Sequence, residues 1–154
     1  IHRKILDDRR KNILAGLPDT LTRRSVTLVH GSPADPVWGY ILDRSAAAEA
    51  LSGATCSLTL TGHTHLPALW AYHPQTGAEK KNFSYGEEVS YMGVPHLANP
   101  GSIGQSRDGE GTARYMILNP ERKTMEFRKC QWPRGPFLRK MRRGGYPESL
   151  IRRY

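Results

Sequence analysis

Gly62-His63-Thr64-His65 places two imidazoles one residue apart, directly after the apolar run Cys56-Ser57-Leu58-Thr59-Leu60. Neutral imidazole is the commonest side-chain metal ligand. A His-x-His pair just past a strand end offers one ring nitrogen to each of two neighbouring metal ions, and the preceding glycine frees the backbone to turn there. A third histidine stands in a similar setting upstream. Val26-Thr27-Leu28-Val29 is a short β-branched run, and His30-Gly31-Ser32-Pro33 follows at once. Two strand ends that each release histidine beside glycine make His30, His63 and His65 candidate metal ligands. His2, His73 and His96 lack such a setting and read as ordinary residues.

Other chemistry finds less support. Ser32 has no Gly-x-Ser-x-Gly elbow around it, which removes a serine hydrolase. There is no P-loop and no dinucleotide fingerprint. The glycine-rich stretch 99–111 is the next candidate. Its backbone amides can turn inward, and Arg107 carries a planar fork suited to phosphate or carboxylate. The same stretch also reads as a structural turn bracing the site, with Asn99 structural and Arg107 paired to Asp108 or to solvent. Trp38, Tyr40, Trp70, Tyr72, Tyr85 and Tyr91 are scattered, and packing explains them more cheaply than base stacking.

The elements that must position these residues follow from periodicity and punctuation. Residues 4–15 read as a helix, with Ile5, Ile13 and Leu14 as core contacts. Residues 25–29 and 56–60 are strands, and 30–36 is a loop. Residues 38–42 form a short apolar segment packing on the sheet. Asp43 caps a helix over 44–51 that Gly53 stops. Residues 69–72 form a strand that ends in the turn 73–77. Strands 87–92 and 94–98 are expected to pair around Gly93. Residues 113–118 and 124–128 suit a hairpin. Residues 134–143 form a helix broken by Gly144-Gly145, and Pro147 starts another.

His30-Gly31-Ser32-Pro33, Gly62-His63-Thr64-His65 and Asn99-Pro100-Gly101-Ser102-Ile103-Gly104-Gln105-Ser106-Arg107-Asp108-Gly109 occur in that order. Together they resemble the second half of a calcineurin-like metallophosphoesterase, in its small bacterial and archaeal phosphodiesterase-like branch. The tail Arg142-Arg143-Gly144-Gly145-Tyr146-Pro147-Glu148-Ser149-Leu150 continues the resemblance. It is weakest in residues 1–20 and 72–92. The family's earlier Asp-x-His, Gly-Asp and Gly-Asn-His segments have no counterpart in this sequence. The expectation is therefore that residues 1–154 are the C-terminal part of a single metallophosphoesterase domain whose N-terminal metal-binding half lies elsewhere.

What the resemblance implies is specific. The fold class is α/β, the C-terminal half of a four-layer α-β-β-α sandwich with mixed sheets and outer helices. The activity is metal-dependent phosphoester hydrolysis, phosphodiester above all, by a metal-bridging hydroxide at a dinuclear centre. His30 and His63 would bind one ion and His65 the other. The cofactors would be two divalent ions (Mn, Fe, Zn or Ni) about 3.5–4 Å apart, bridged by carboxylates of the missing half. Residues 1–154 alone would hold one ion or none and be inactive. Asn99 and Arg107 would be the phosphate-binding candidates. The partners implied are a phosphoester substrate, including nucleotides, and the missing half itself.

Composition bounds these readings. The 154 residues are ordinary in make-up for a globular protein. No apolar run approaches the roughly 20 residues a membrane helix needs. Cys56 and Cys130 have no metal or redox spacing and read as two buried free thiols of a reducing cytoplasm. The formal charge is +9, and residues 121–154 hold 11 Lys and Arg against 3 Asp and Glu. That basic tail suits either polyanion binding or a solvated face balancing an acidic missing half. A non-catalytic nucleic-acid- or partner-binding module on the same scaffold is accordingly the alternative function.

Overall fold

The computed structural model describes residues 6–154. Helix α1 (Asp8–Ala15) and strands β1 (Thr20–Arg23) and β2 (Val26–Val29) come first, then helix α2 (Arg44–Ser52) and strand β3 (Leu58–Leu60). Strands β4 (Ala68–His73), β5 (Gly77–Lys80), β6 (Glu88–Ser90) and β7 (His96–Asn99) follow. The hairpin β8 (Ala113–Asn119) and β9 (Thr124–Cys130) precedes helices α3 (Arg134–Arg143) and α4 (Glu148–Ile151). Six strands form one mixed sheet in the order β1-β2-β3-β7-β4-β5, and three form an antiparallel sheet in the order β6-β9-β8.

Period-2 alternation explains how the layers meet. Val26, Leu58, Leu69 and Ala98 leave one face of the six-stranded sheet and pack with Tyr91, Met125 and Phe127 at the three-stranded sheet. Phe83 stacks on Phe127 with ring centroids 3.8 Å apart. From the opposite face Trp70, Ala78 and Leu97 receive Ala47, Ala50 and Leu51 of α2. Strands β4 and β7 are thus apolar on both faces, as strands covered on both sides must be. The protein is a mixed α/β fold with two packed sheets and a helix outside the larger one.

The cap at α2 is as expected: Asp43 accepts from the Ala46 N–H at 2.9 Å, and Gly53 ends the helix. The 113–128 hairpin also forms, with Asn119 opposite Thr124.

Strands 87–92 and 94–98 do not pair with each other. Gly93, at φ +87°, carries the chain from one sheet to the other. Val89 of β6 pairs with Met125, while β7 enters the larger sheet between β3 and β4. The residue types decide this: β6 has polar flanks suited to an edge, and β7 has apolar groups for two faces.

Helix α1 buries nothing among the described residues. Ile13 and Leu14 are 57% and 55% exposed rather than core, and Ile5 lies outside the described residues. In the segment 38–42 only Ile41 is buried, and Trp38 is 72% exposed. The cysteines are free but not both buried, since Cys130 is exposed and Cys56 half-buried.

Candidate functional site

Parallel pairing builds the site. Strand β2 runs parallel to β3, and β3 parallel to β7, with Leu28 opposite Leu60 and Leu60 opposite Ala98. The C-terminal ends of all three therefore lie side by side, and the segments beginning at His30, Thr61 and Pro100 leave from one edge. Open α/β sheets place their sites at such an edge. Two further bonds extend the ladder into the loops: Gly62 N–H donates to the His30 carbonyl and Thr61 N–H to the Ala98 carbonyl, each at 2.9 Å.

This edge brings His30 and His63 together. His30 Nε2 and His63 Nδ1 stand 3.1 Å apart, with ring centroids separated by 4.9 Å. One ring donates to the other. Two imidazole nitrogens bound tetrahedrally to one Zn²⁺ at about 2.0–2.1 Å would lie roughly 3.3 Å apart, so the pair needs little movement to share an ion. The other nitrogen of His63, Nε2, is buried with no partner among the described residues. Burial holds the His30 pKa below its ordinary value, and the charges of His63 and His65 lower it further. All three effects favour the neutral imidazole that a metal requires.

His65 is held differently. Its Nδ1 donates to the Gln105 carbonyl at 2.7 Å, which in the neutral ring leaves Nε2 as a bare lone pair. A metal-ligating histidine commonly has its second nitrogen anchored in this way. Both His63 and His65 have left-handed backbones, at φ +57° and +60°. Non-glycine residues in that region cost energy and persist where the surroundings impose them, often at functional sites.

What imposes them here is Asn99. Its buried amide donates to the Gly62 carbonyl at 2.5 Å and to Thr64 Oγ1 at 3.0 Å, and its oxygen accepts from Gly101 N–H at 2.9 Å. Asn99 therefore braces the histidine loop, the structural one of its two readings. Gly31 is equally constrained: a Cβ there would lie 2.5 Å from the Asp35 carbonyl and 2.8 Å from the Gly39 amide. Only glycine lets the backbone after His30 turn this tightly.

Arg107 is exposed and makes no ion pair among the described residues. Of the two alternatives for a structural Arg107, Asp108 or solvent, the pairing to Asp108 does not occur, because Asp108 is taken by Arg114 from β8. The side chain of Arg114 is only 1% exposed; it also meets Glu110 at 3.0 Å and the Tyr85 hydroxyl. Sequence reading missed Arg114. Its signal was an arginine at an inward register of the hairpin, level with Met116 and Leu118.

Tyr40 was also undervalued. Its ring centroid lies 4.2 Å from that of His63, with the exposed Trp38 at 6.3 Å. A groove of about 530 Å³ opens beside His30, lined by Leu28, Leu60, Pro100, Ile103 and Arg114 among others. Among the described residues no three His, Cys, Asp or Glu side chains converge closely enough to enclose an ion. The residues present fit the imidazole part of a metal centre and supply none of its carboxylates.

Comparison with known proteins places this geometry. A metallophosphoesterase of Sphaerobacter thermophilus, known from a crystal structure, superposes with a TM-score of 0.88 at 30% identity, covering 97% of this chain and 62% of that one. The fold is metallophosphoesterase-like. A hypothetical protein of Pyrococcus horikoshii has the same fold, with a TM-score of 0.74 at 20% identity, over 97% of this chain and 54% of its own. An uncharacterised protein of Methanocaldococcus jannaschii is 25% identical over an alignment 155 positions long that covers 96% of this chain. The chain spans 60% of that relative's length. No family model matches. Among the described residues no helix is long and apolar enough to cross a membrane.

Proposed function

We propose that this chain is the C-terminal part of a metal-dependent phosphoesterase that acts on phosphodiesters. The observation that carries the reading is the meeting of His30 Nε2 and His63 Nδ1, 3.1 Å apart, at the shared edge of three parallel strands. The likeness to the Sphaerobacter metallophosphoesterase supports it. In this reading His30 and His63 hold one divalent ion, and His65, through its free Nε2, helps hold a second. Carboxylates from the rest of the protein complete the centre, since hard cations need oxygen ligands. Bound divalent ions supply Lewis acidity toward the phosphoryl oxygens and lower the pKa of water to give a nucleophile near neutral pH.

The chain's own residues do the rest. Asn99 and Gly31 hold the histidine loops in place. Tyr40 and Trp38 cover one side of His63. Arg107, exposed on the loop that contains Gln105, would meet a phosphate of the substrate. The test is hydrolysis of bis(4-nitrophenyl) phosphate by the intact protein after chelation and after Mn²⁺ is restored. The expected result is turnover that vanishes with chelator and returns with metal. Turnover indifferent to chelator rules out the mechanism.

A second reading, binding of a polyanion through residues 121–154, has one observation in its favour. The three acidic residues of that segment are already engaged: Glu121 by Arg24, Glu126 by Arg128 and Glu148 by Arg142. Of the other cations, Arg122 pairs with Glu88 and Lys129 with Glu110, and the rest make no ion pair among the described residues. If this surface binds single-stranded or duplex nucleic acid, log K will fall linearly with log salt, with a slope near −0.9 per phosphate neutralised on duplex DNA. Binding absent at low salt eliminates this reading and leaves the first untouched.

A further inference from the structure

The ring of His65 is aimed by residues outside the histidine motifs. A carbonyl has no hydrogen to give, so its contact with Gln105 puts a proton on Nδ1 and, in the neutral ring, leaves Nε2 bare. The tautomer and direction of His65 thus depend on where Gln105 stands, 40 positions away in the chain.

Gln105 is clipped from both sides. On one side its N–H donates to Ser102 Oγ at 3.0 Å, and the Ser102 carbonyl accepts from the Arg114 N–H at 2.9 Å. On the other, the Ser106 hydroxyl donates to Asp108 Oδ1 at 2.6 Å, and Glu110 N–H donates to the same oxygen at 3.0 Å. Asp108 Oδ2 closes the loop as an ion pair with Arg114 Nε. The first clip ends on the Arg114 backbone N–H and the second on its guanidinium. Gly101, at φ +95°, lets the loop lie flush on that side chain, because a Cβ there would stand 3.0 Å from Arg114 Cδ.

The charges are those the clip needs. Burial alone would raise the Asp108 carboxyl. Hydrogen bonds from Ser106 and Glu110, with the Arg114 charge, outweigh burial and hold it below the usual carboxylate value. A buried ion pair is a poor stabiliser, since desolvation offsets most of the Coulomb gain. Its better-attested use is to specify one arrangement among several.

We propose that Arg114 and Asp108 are positioning residues that set the tautomer and orientation of His65 through the Gln105 carbonyl. The use of that bare Nε2 for a metal rests on the function proposed above, whereas the tautomer does not.

The test therefore reads the tautomer directly. Long-range ¹H–¹⁵N NMR of ¹⁵N-histidine-labelled, metal-free protein at about pH 8, where histidine is neutral, distinguishes Nδ1–H from Nε2–H at each ring. Wild-type His65 is expected in the Nδ1–H form. In Asp108→Asn and Arg114→Met the ratio of Nε2–H to Nδ1–H is expected to rise roughly fivefold, the worth of one ordinary net hydrogen bond. His96 serves as the internal control for folding. Its Nδ1 donates to the Val94 carbonyl at 2.8 Å, at the start of β7, and its pattern must survive in any variant that counts. If either variant loses the His96 pattern, Ser106→Ala, which removes a single bond to Asp108, carries the comparison. A ratio of Nε2–H to Nδ1–H at His65 unchanged from wild type in folded variants overturns the proposal. A protein that shows the expected tautomers but binds no metal would instead overturn the proposed function alone.

Discussion

His63→Asn is expected to lower Mn²⁺-dependent phosphodiester hydrolysis by the intact protein at least 100-fold. Loss of a group that merely orients a ligand commonly costs about 10–100-fold in metal affinity or activity, and loss of a ligand should cost no less. Asparagine is the informative replacement. His63 has a left-handed backbone, at φ +57°, and asparagine tolerates that region better than alanine does. The variant thus removes the imidazole while sparing the turn. The partner substitution His30→Ala should weaken binding of the same ion, because the two nitrogens face each other across 3.1 Å. Zn²⁺ titration by calorimetry separates the two outcomes that activity alone would confuse. Weakened binding with an unchanged melting temperature supports ligation. A fall in activity under roughly tenfold in His63→Asn, with metal affinity intact, would remove His63 from the centre, since even an orienting group usually costs that much.

Asn99→Ala is expected to cost about 3 kcal/mol of stability. The Gly101 amide loses its partner, while the Gly62 carbonyl and the Thr64 hydroxyl each lose one bond and keep another, from the Thr64 and Leu66 amides. One buried amide left unsatisfied costs about 1–3 kcal/mol, and each of the two other lost bonds adds about 0.5–1.5 kcal/mol. Urea unfolding should show a lower midpoint at unchanged slope, the sign of lost stability without a changed unfolded state. Asn99→Asp distinguishes bonding from size. It keeps the acceptor for Gly101 but sets a carboxylate oxygen against the Gly62 carbonyl, so it should be at least as destabilising. A loss below about 0.5 kcal/mol in both variants, the range of ordinary surface changes, would mean that the histidine loop holds itself.

Much of the scaffold was readable because its signals are local. Asp43 three residues before Ala46, with an alanine-rich run and Gly53 after it, specifies α2 through side-chain capping and propensity. The hairpin β8–β9 announces itself by two β-prone runs around a turn. The omissions have identifiable causes. Strand β1 pairs with β2 through Arg24 and Ser25, both at positive φ. Such two-residue turns normally carry Asn-Gly or Gly, so the hairpin had no visible turn. Strand β5 is a polar edge ending in Glu79 and Lys80, and it shows no hydrophobic period. Strand β6 lay beside β7 in sequence, but neighbours in sequence need not share a sheet when their faces demand different degrees of cover.

The site divides along the same line. Sequence alone determined that His30, His63 and His65 follow strands and that His30 and His63 adjoin glycines, because side-chain type and backbone permissiveness are properties of a few consecutive residues. Only the tertiary structure decided that β2, β3 and β7 run parallel as neighbours, which brings His30 within 3.1 Å of His63. It alone gave Asn99 to the backbone of the histidine loop, and Asp108 to Arg114 instead of to Arg107. Those choices depend on which buried polar group has no other partner within reach. That is settled by packing across the whole chain, and no short stretch of sequence contains it.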